Sequence, residues 1–447
     1  MKKINVLQVC GRLGLGGTEK NLQIFTKYLD KRLFNVHVCV FVGGGEREKM
    51  LKDLGIRIHV VDRSQKKLIK LIKSKNIHVV YMDGYEEPFV TAAAQEAGAS
   101  LMVRDISGRF ENPETAKSID RHLVSKMCAL RFRKWNKITS EEFRQRCCVV
   151  YDPIDLEEVK EYGLSRKQIL QKRKYLGIKR GDLVIGRVGR PDIEKWGHIV
   201  IDMMPYLVKK IPNVKCLIMG TPQVKKEEIK RKKLDKFFIY LEADPSDKSV
   251  IELYCLIDIL VLSSKCGESF GRTIAEAMSC KKPVVVSSTP LVDNAQIELV
   301  DNGKTGFVVY SPKAFAEAIA YLASNREVAR KMGLVGYAKV KREYEAKKTT
   351  RVLEKRIIEL LQARGMEVPK KVLKRYEKVH YSPSNKEIDN FEFEYERRLK
   401  DCFGKPDLIK LFVYKYVVSR PLMLNVIKSI RLTNLRNMIM RFRERRQ

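Results

Sequence analysis

Ile259-Leu260-Val261-Leu262-Ser263-Ser264-Lys265-Cys266-Gly267-Glu268-Ser269-Phe270-Gly271-Arg272-Thr273-Ile274-Ala275-Glu276-Ala277-Met278 reads as a strand, a glycine-bearing turn and the start of a helix. Four successive branched apolar residues between Asp258 and Ser263 suit a strand buried on both faces, as in a parallel sheet. The turn that follows carries Glu268, and Glu276 lies eight positions on, within the helix. One helical turn advances ~5.4 Å. Two carboxylates near a helix start could therefore touch different parts of one elongated ligand. The N–H groups around Gly271–Thr273 would favour a phosphate between them. Carboxylates accept hydrogen bonds from sugar hydroxyls, so the element has the shape of a sugar-nucleotide site. The plain alternative is that Glu276 only caps or pairs at a helix start.

The same strand–helix alternation extends on both sides of this segment. Downstream of residue 180 the expected strands are Leu183–Val188, Val214–Met219, Phe237–Leu241, Ile259–Leu262, Pro283–Ser287 and Gly306–Val309. Upstream they are Val6–Cys10, Val36–Val42, Arg57–Val61, His78–Met82 and Leu101–Arg104. Helical stretches between strands at this spacing mean βαβ units and parallel sheets. The chain thus reads as α/β, with two Rossmann-like halves joined near Asp152-Pro153-Ile154-Asp155. The expected domains are 1–155, 156–365 with residues 343–363 as a helix closing the second half, and a basic helical extension over 366–447.

In open parallel sheets ligands bind beyond the carboxyl ends of the strands. Two further turns occupy such positions. Gly11-Arg12-Leu13-Gly14-Leu15-Gly16-Gly17-Thr18-Glu19 follows the first strand and opens a helix, which would let backbone approach a phosphate. It is not a strict GxGxxG, and the alternative is a flexible turn without a ligand. Gly189-Arg190-Pro191-Asp192-Ile193-Glu194-Lys195-Trp196-Gly197 follows the first strand of the second half. Arg190 offers a planar fork and Lys195 a point charge, a pair suited to a diphosphate; otherwise both are solvated loop residues. Arg187 falls inside the strand pattern and is the weaker candidate.

Bulk properties narrow the function classes. The 447 residues are 44% hydrophobic and 32% charged, a globular composition. No uncharged apolar run approaches the ~18 residues of a spanning helix, and the N-terminus reads as a first strand rather than a signal peptide. The chain is expected to be cytoplasmic, on the membrane's inner face if it is peripheral. Ten cysteines without a CxxC pair and six scattered histidines argue for reduced thiols and against a metal site. A net charge of +34 attracts polyanions, or reflects a lysine-rich lineage. Residues 405–447 hold 11 basic and 2 acidic residues among apolar ones. That pattern suits basic amphipathic helices on an anionic membrane, a helical appendage packed on the body, or an oligomer contact.

Taken together, these motifs resemble the retaining GT-B glycosyltransferases, specifically glycosyltransferase family 4. The resemblance rests on Gly189-Arg190…Lys195, on Glu268 and Glu276 with Phe270-Gly271 after the first, on Asp301-Asn302-Gly303-Lys304-Thr305-Gly306, on Val150-Tyr151-Asp152-Pro153-Ile154-Asp155, and on Gly16-Gly17-Thr18-Glu19. It covers residues 1 to about 363. It implies two Rossmann-like domains facing across a cleft, and retaining transfer of a sugar from a nucleotide donor to a glycan or lipid-linked acceptor in polysaccharide or glycolipid synthesis. It further implies that Arg190 and Lys195 bind the donor diphosphate, that Glu268 holds the donor sugar and that Glu276 holds the ribose. Backbone at Ser269, Phe270, Gly271, Arg272 and Thr273 would meet sugar and phosphate, with Gly16 and Gly17 approaching from the first domain. No cofactor and no metal are expected. Trp196 between Lys195 and Gly197, and Ser263-Ser264 in place of Pro-Ser, depart from the common pattern. Where relatives carry an acceptor-side His, this chain offers Arg104 and Asp105, which also suit a buried ion pair. The competing readings are an epimerase of similar shape and a non-catalytic nucleic-acid or polyanion binder. No nucleic-acid-binding module appears in the sequence, and no specific nucleic acid is expected.

Overall fold

The computed structural model describes residues 3–84, 87–108, 118–242, 246–289 and 292–402. The basic stretch 405–447 lies outside them. The described residues divide into two compact units, one up to Glu157 together with Lys339–Phe391, and the other Glu158–Ala338 together with 392–402.

The first unit holds a seven-stranded sheet in the order β3-β2-β1-β4-β5-β6-β7. Its strands are β1 Ile4–Cys10, β2 Phe34–Val40, β3 Ile58–Val60, β4 Val79–Gly84, β5 Ser100–Asp105, β6 Asp120–Leu123 and β7 Cys147–Val149. The second unit holds six strands in the order β10-β9-β8-β11-β12-β13. They are β8 Leu183–Val188, β9 Val214–Met219, β10 Phe238–Leu241, β11 Ile259–Leu262, β12 Val284–Ser287 and β13 Gly306–Val309. Every pairing in both sheets is parallel. Both orders reverse direction beside their first strand, between β1 and β4 and between β8 and β11. That reversal leaves a crevice at the carboxyl ends of the two central strands.

β6 and β7 are the strands that the apolar pattern misses. β6 reads Asp120-Arg121-His122-Leu123, yet all four residues are buried. Several of its polar groups meet lateral partners. Arg356 Nη2 lies 2.8 Å from Asp120 Oδ1, and the Tyr81 hydroxyl meets His122 Nε2 at 2.6 Å. The Arg121 guanidinium sits 5.0 Å from the Phe132 ring.

The closing helix differs from expectation. Ala346–Ala363 returns to the first unit rather than the second. Its apolar face, with Leu353, Ile357, Ile358 and Leu361, joins one core with Ile4, Val6, Phe25, Phe34 and Val79. Val372 and Tyr376 of the helix Lys370–Glu377 enter the same core. Residues 366–391 therefore pack as part of the first unit, not as the start of a separate extension. Asp152-Pro153-Ile154-Asp155 is likewise anchored. Ile154 donates its N–H to the Tyr344 carbonyl at 2.7 Å and accepts from Ala346 N at 2.9 Å. Asp155 accepts from the Tyr28 hydroxyl at 2.7 Å and from Lys27 Nζ at 2.8 Å.

Candidate functional site

The site lies in the second unit, where the two loops that carry the candidate residues leave neighbouring strands. β11 pairs with β8 through Ile259–Ile185 and Leu260–Gly186. The loops that follow, 189–197 and 263–271, therefore emerge side by side at the reversal point. Lys195 bridges them. Its Nζ lies 3.2 Å and 3.3 Å from the two carboxylate oxygens of Glu268 and 3.4 Å from the Gly267 carbonyl. Burial is the largest single influence and lowers the ammonium's pKa; the charge and hydrogen bond of Glu268, joined by Cys266 and Asp293, together outweigh it and raise the pKa. Lys195 is thus held as a cation beside a carboxylate, with 31% of its side chain still open to solvent.

Several close backbone approaches hold the two loops. Gly197 donates its N–H to the Ser263 carbonyl at 3.2 Å, and a Cβ on Gly197 would lie 2.4 Å from Ser263 Oγ. Gly220, at the end of β9 with φ of +78°, passes so near the Gly189 carbonyl that a Cβ would stand 1.8 Å from its oxygen. Trp196 does not displace the lysine. It is buried, and its Nε1 donates to the Gly220 carbonyl at 3.1 Å.

Glu268 itself is fixed through its backbone. Its carbonyl accepts from Ala295 N at 2.8 Å, and its N–H donates to Gln296 Oε1 at 3.3 Å. Gly271, with φ of +101°, caps the helix Arg272–Ser279 in a left-handed conformation that glycine adopts readily. Phe270 is buried beneath the turn. Glu276 lies within that helix. Its Oε1 is 2.8 Å from Arg272 Nε, and its Oε2 accepts from the buried Tyr254 hydroxyl at 3.1 Å. It is an oriented carboxylate with 19% of its side chain exposed.

A support loop after β12 was not read from the sequence. Gln296 Nε2 donates to the Ser287 carbonyl at 2.8 Å, and Thr289 N donates to Asn294 Oδ1 at 2.8 Å. Ser269 Oγ donates to Asp293 Oδ2. Gly267, at φ of +70°, lies so close that a Cβ would sit 1.6 Å from the Asp293 carbonyl oxygen. The only sequence signal for this loop is the polar cluster Asp293-Asn294, which also marks any ordinary turn.

The remaining candidates fall elsewhere. Arg190 extends from the exposed tip of its loop, with Nη2 3.9 Å from Asp192. Gly16 and Gly17 lie in the first unit, where Gly16 caps the helix Gly17–Tyr28 without a side-chain bond. Arg104 and Asp105, also in the first unit, are both buried. Arg104 pairs with Asp83 at 2.7 Å and with Asp152, and Asp105 accepts from the N–H groups of Ser107 at 2.9 Å and Gly108 at 2.8 Å. Both residues thus sit in buried ion pairs, Asp105 with Oδ2 3.8 Å from Arg121 Nη1, and Asp105 also shapes a turn.

With this geometry in place, comparison with known proteins bears on the second unit and on the fold. Residues 168–339 match the family model described as glycosyl transferases group 1. A capsular polysaccharide biosynthesis glycosyltransferase, CapM of Staphylococcus aureus, is 25% identical over 51% of this chain and 57% of its own length. Trehalose synthase of Thermococcus litoralis is 28% identical over 46% of this chain and 51% of its own. The chain spans about half the length of the curated relatives it matches. Among solved structures, a glycosyltransferase from Rickettsia africae superposes with a TM-score of 0.69 at 19% identity, over 81% of this chain and all of that one. Anabaena HepE in complex with UDP-glucose superposes with a TM-score of 0.63 at 20% identity, over 80% of this chain and all of that one. No helix among the described residues is long and apolar enough to cross a membrane. The chain carries a glycosyl transferases group 1 domain on a GT-B fold, built from two parallel-sheet Rossmann-like units.

Proposed function

We propose that this chain transfers a sugar, with retention of anomeric configuration, from a nucleoside-diphosphate sugar to a glycan or lipid-linked acceptor. The observation that carries the reading is the Lys195–Glu268 bridge between the loops after β8 and β11. It sets a cation and a hydroxyl-reading carboxylate side by side at the sheet's reversal point.

In this reading Lys195, with Arg190 from the loop tip, neutralises charge that develops on the departing diphosphate. The N-terminus of Arg272–Ser279 adds aligned N–H groups to the same task. Glu268 accepts hydrogen bonds from the donor sugar's hydroxyls, and Glu276, oriented by Tyr254 and Arg272, accepts from the ribose. Leaving-group stabilisation is the costly step in such a transfer, and no pair of glycosidase-type carboxylates is needed for it. Two relatives bear on the substrate class. CapM is described as acting in capsular polysaccharide biosynthesis, and Anabaena HepE was crystallised with UDP-glucose.

A panel of UDP-, GDP- and ADP-sugars, assayed for transfer and donor hydrolysis, tests the proposal. Loss of turnover in Lys195→Ala and Glu268→Ala supports it, and activity that survives both substitutions refutes the site. The anomeric proton coupling of the product, read by NMR, decides retention. We also propose that residues 405–447 bring the enzyme to the inner face of an anionic membrane. Flotation with anionic liposomes should be lost when those residues are removed, and equal flotation of both chains would contradict it.

A further inference from the structure

Arg187 is an anomaly of the second sheet. It sits in β8, next to the last residue of the strand, and is 1% exposed. Strand positions of this kind in a parallel sheet are ordinarily apolar. One of its nitrogens, Nη2, donates to the backbone carbonyl of Lys195 at 2.6 Å. Its guanidinium carbon lies 3.8 Å from the centre of the Trp196 ring. Among the described residues, Nε and Nη1 have no hydrogen-bond partner. Burial lowers the guanidinium's pKa to about 10 against the opposing pull of the Glu268 carboxylate. A buried cation with two unmet donors is costly, and an apolar residue of similar volume is often tolerated as well or better in such a place. The sheet therefore does not need an arginine here for its stability.

What the arginine touches is the catalytic loop. It holds Lys195 by the backbone and Trp196 by the ring face, and Trp196 is in turn tied to Gly220. The Lys195 side chain is thereby aimed from two adjacent anchors, one a charge-assisted hydrogen bond and one a cation–π contact. Its ammonium stands 3.2 Å from Glu268.

We infer that Arg187 is the positioning residue of the donor site, a strand-borne clamp that fixes the backbone of the Lys195–Trp196 segment so that the lysine ammonium meets the donor diphosphate. The inference rests on the proposed donor site. Misplacement of a catalytic group by about 1 Å can cost ~10²-fold in rate, so the clamp's effect should appear in turnover rather than in stability.

The test compares wild type, Arg187→Met, Arg187→Lys, Lys195→Ala and the double variant Arg187→Met/Lys195→Ala. Each is assayed with whichever of the UDP-, GDP- and ADP-sugars wild type turns over fastest, alongside thermal unfolding. Arg187→Met should unfold at or above the wild-type temperature while kcat falls ~10–100-fold. Arg187→Lys, which keeps the charge but not the fork or the flat stacking face, should recover only part of the rate. In the Lys195→Ala background Arg187→Met should cost nothing further, because the group it aims is gone. The inference is overturned if Arg187→Met keeps wild-type turnover, if it lowers stability and turnover together, or if its loss is undiminished in the Lys195→Ala background. The donor-site reading fails separately, and this inference with it, if wild type turns over no donor or if Lys195→Ala is as active as wild type.

Discussion

Replacement of Lys195 by methionine separates the chemistry of the site from its stability. The substitution keeps most of the stem volume and removes the charge. Both partners of the Lys195–Glu268 pair are less than one-third exposed, and their closest atoms are 3.2 Å apart. At an effective dielectric near ~20 the direct attraction at that distance is about 5 kcal/mol before desolvation is counted. Withdrawing both groups from water offsets most of this, so the net coupling in a double-mutant cycle with Glu268→Gln should be ~1–2 kcal/mol. The effect on catalysis should be larger. Loss of one preorganised group opposite a developing anion costs ~10²–10³ in kcat, or about 3–4 kcal/mol. Lys195→Met should therefore lose much more activity than stability. Steady-state kinetics on the nucleotide-sugar donor, paired with thermal unfolding, gives both numbers. A fall in kcat/KM below about fivefold, or a stability loss that matches the kinetic loss, would refute the reasoning, because Lys195 would then be a structural cation only.

Three other outcomes are expected. Glu276→Ala should raise the KM for the donor with a smaller change in kcat, since a ribose contact is made alike in ground and transition states; binding of free nucleoside diphosphate by calorimetry checks it. Gly267→Ala should disrupt the support loop and cost ~2–4 kcal/mol, because the new methyl would meet the Asp293 carbonyl at a residue with positive φ; chemical denaturation measures it. Stability should fall as pH drops below ~6.5, the usual histidine value. His37, His59, His78, His122 and His198 are all pushed down by burial, so the unfolded chain takes up protons there that the folded chain does not. For the fully buried His122 the slope is about 1.4 kcal/mol per pH unit, and His122→Gln should flatten the measured profile by that much. Asp83, pushed up by burial to about 6, works in the opposite direction below that pH and offsets part of the fall.

The second sheet was legible because its central strands are short, largely apolar and buried, and Leu183–Val188, Val214–Met219, Ile259–Leu262 and Gly306–Val309 have the expected bounds. β6 was not, since a strand of Asp, Arg, His and Leu is buried by lateral partners that no periodicity records. The helix Ala346–Ala363 announced an apolar face, but an amphipathic pattern does not say which core the face joins. Lys195 and Glu268 could be brought together on paper because each follows a strand beside the sheet's reversal point. The clamp by Arg187 and the lacing of Thr289, Asn294 and Gln296 could not, because each works through a single side-chain bond to distant backbone or to a neighbouring side chain.

The central claim is that a nucleotide-sugar donor binds at the loops after β8 and β11. A crystal structure of the chain with bound nucleoside-diphosphate sugar tests it most directly. The account predicts the diphosphate between Lys195 and the N-terminus of the helix Arg272–Ser279, with Glu268 on the sugar and Glu276 on the ribose. A nucleotide bound elsewhere, with the Lys195–Glu268 pair untouched, would contradict it.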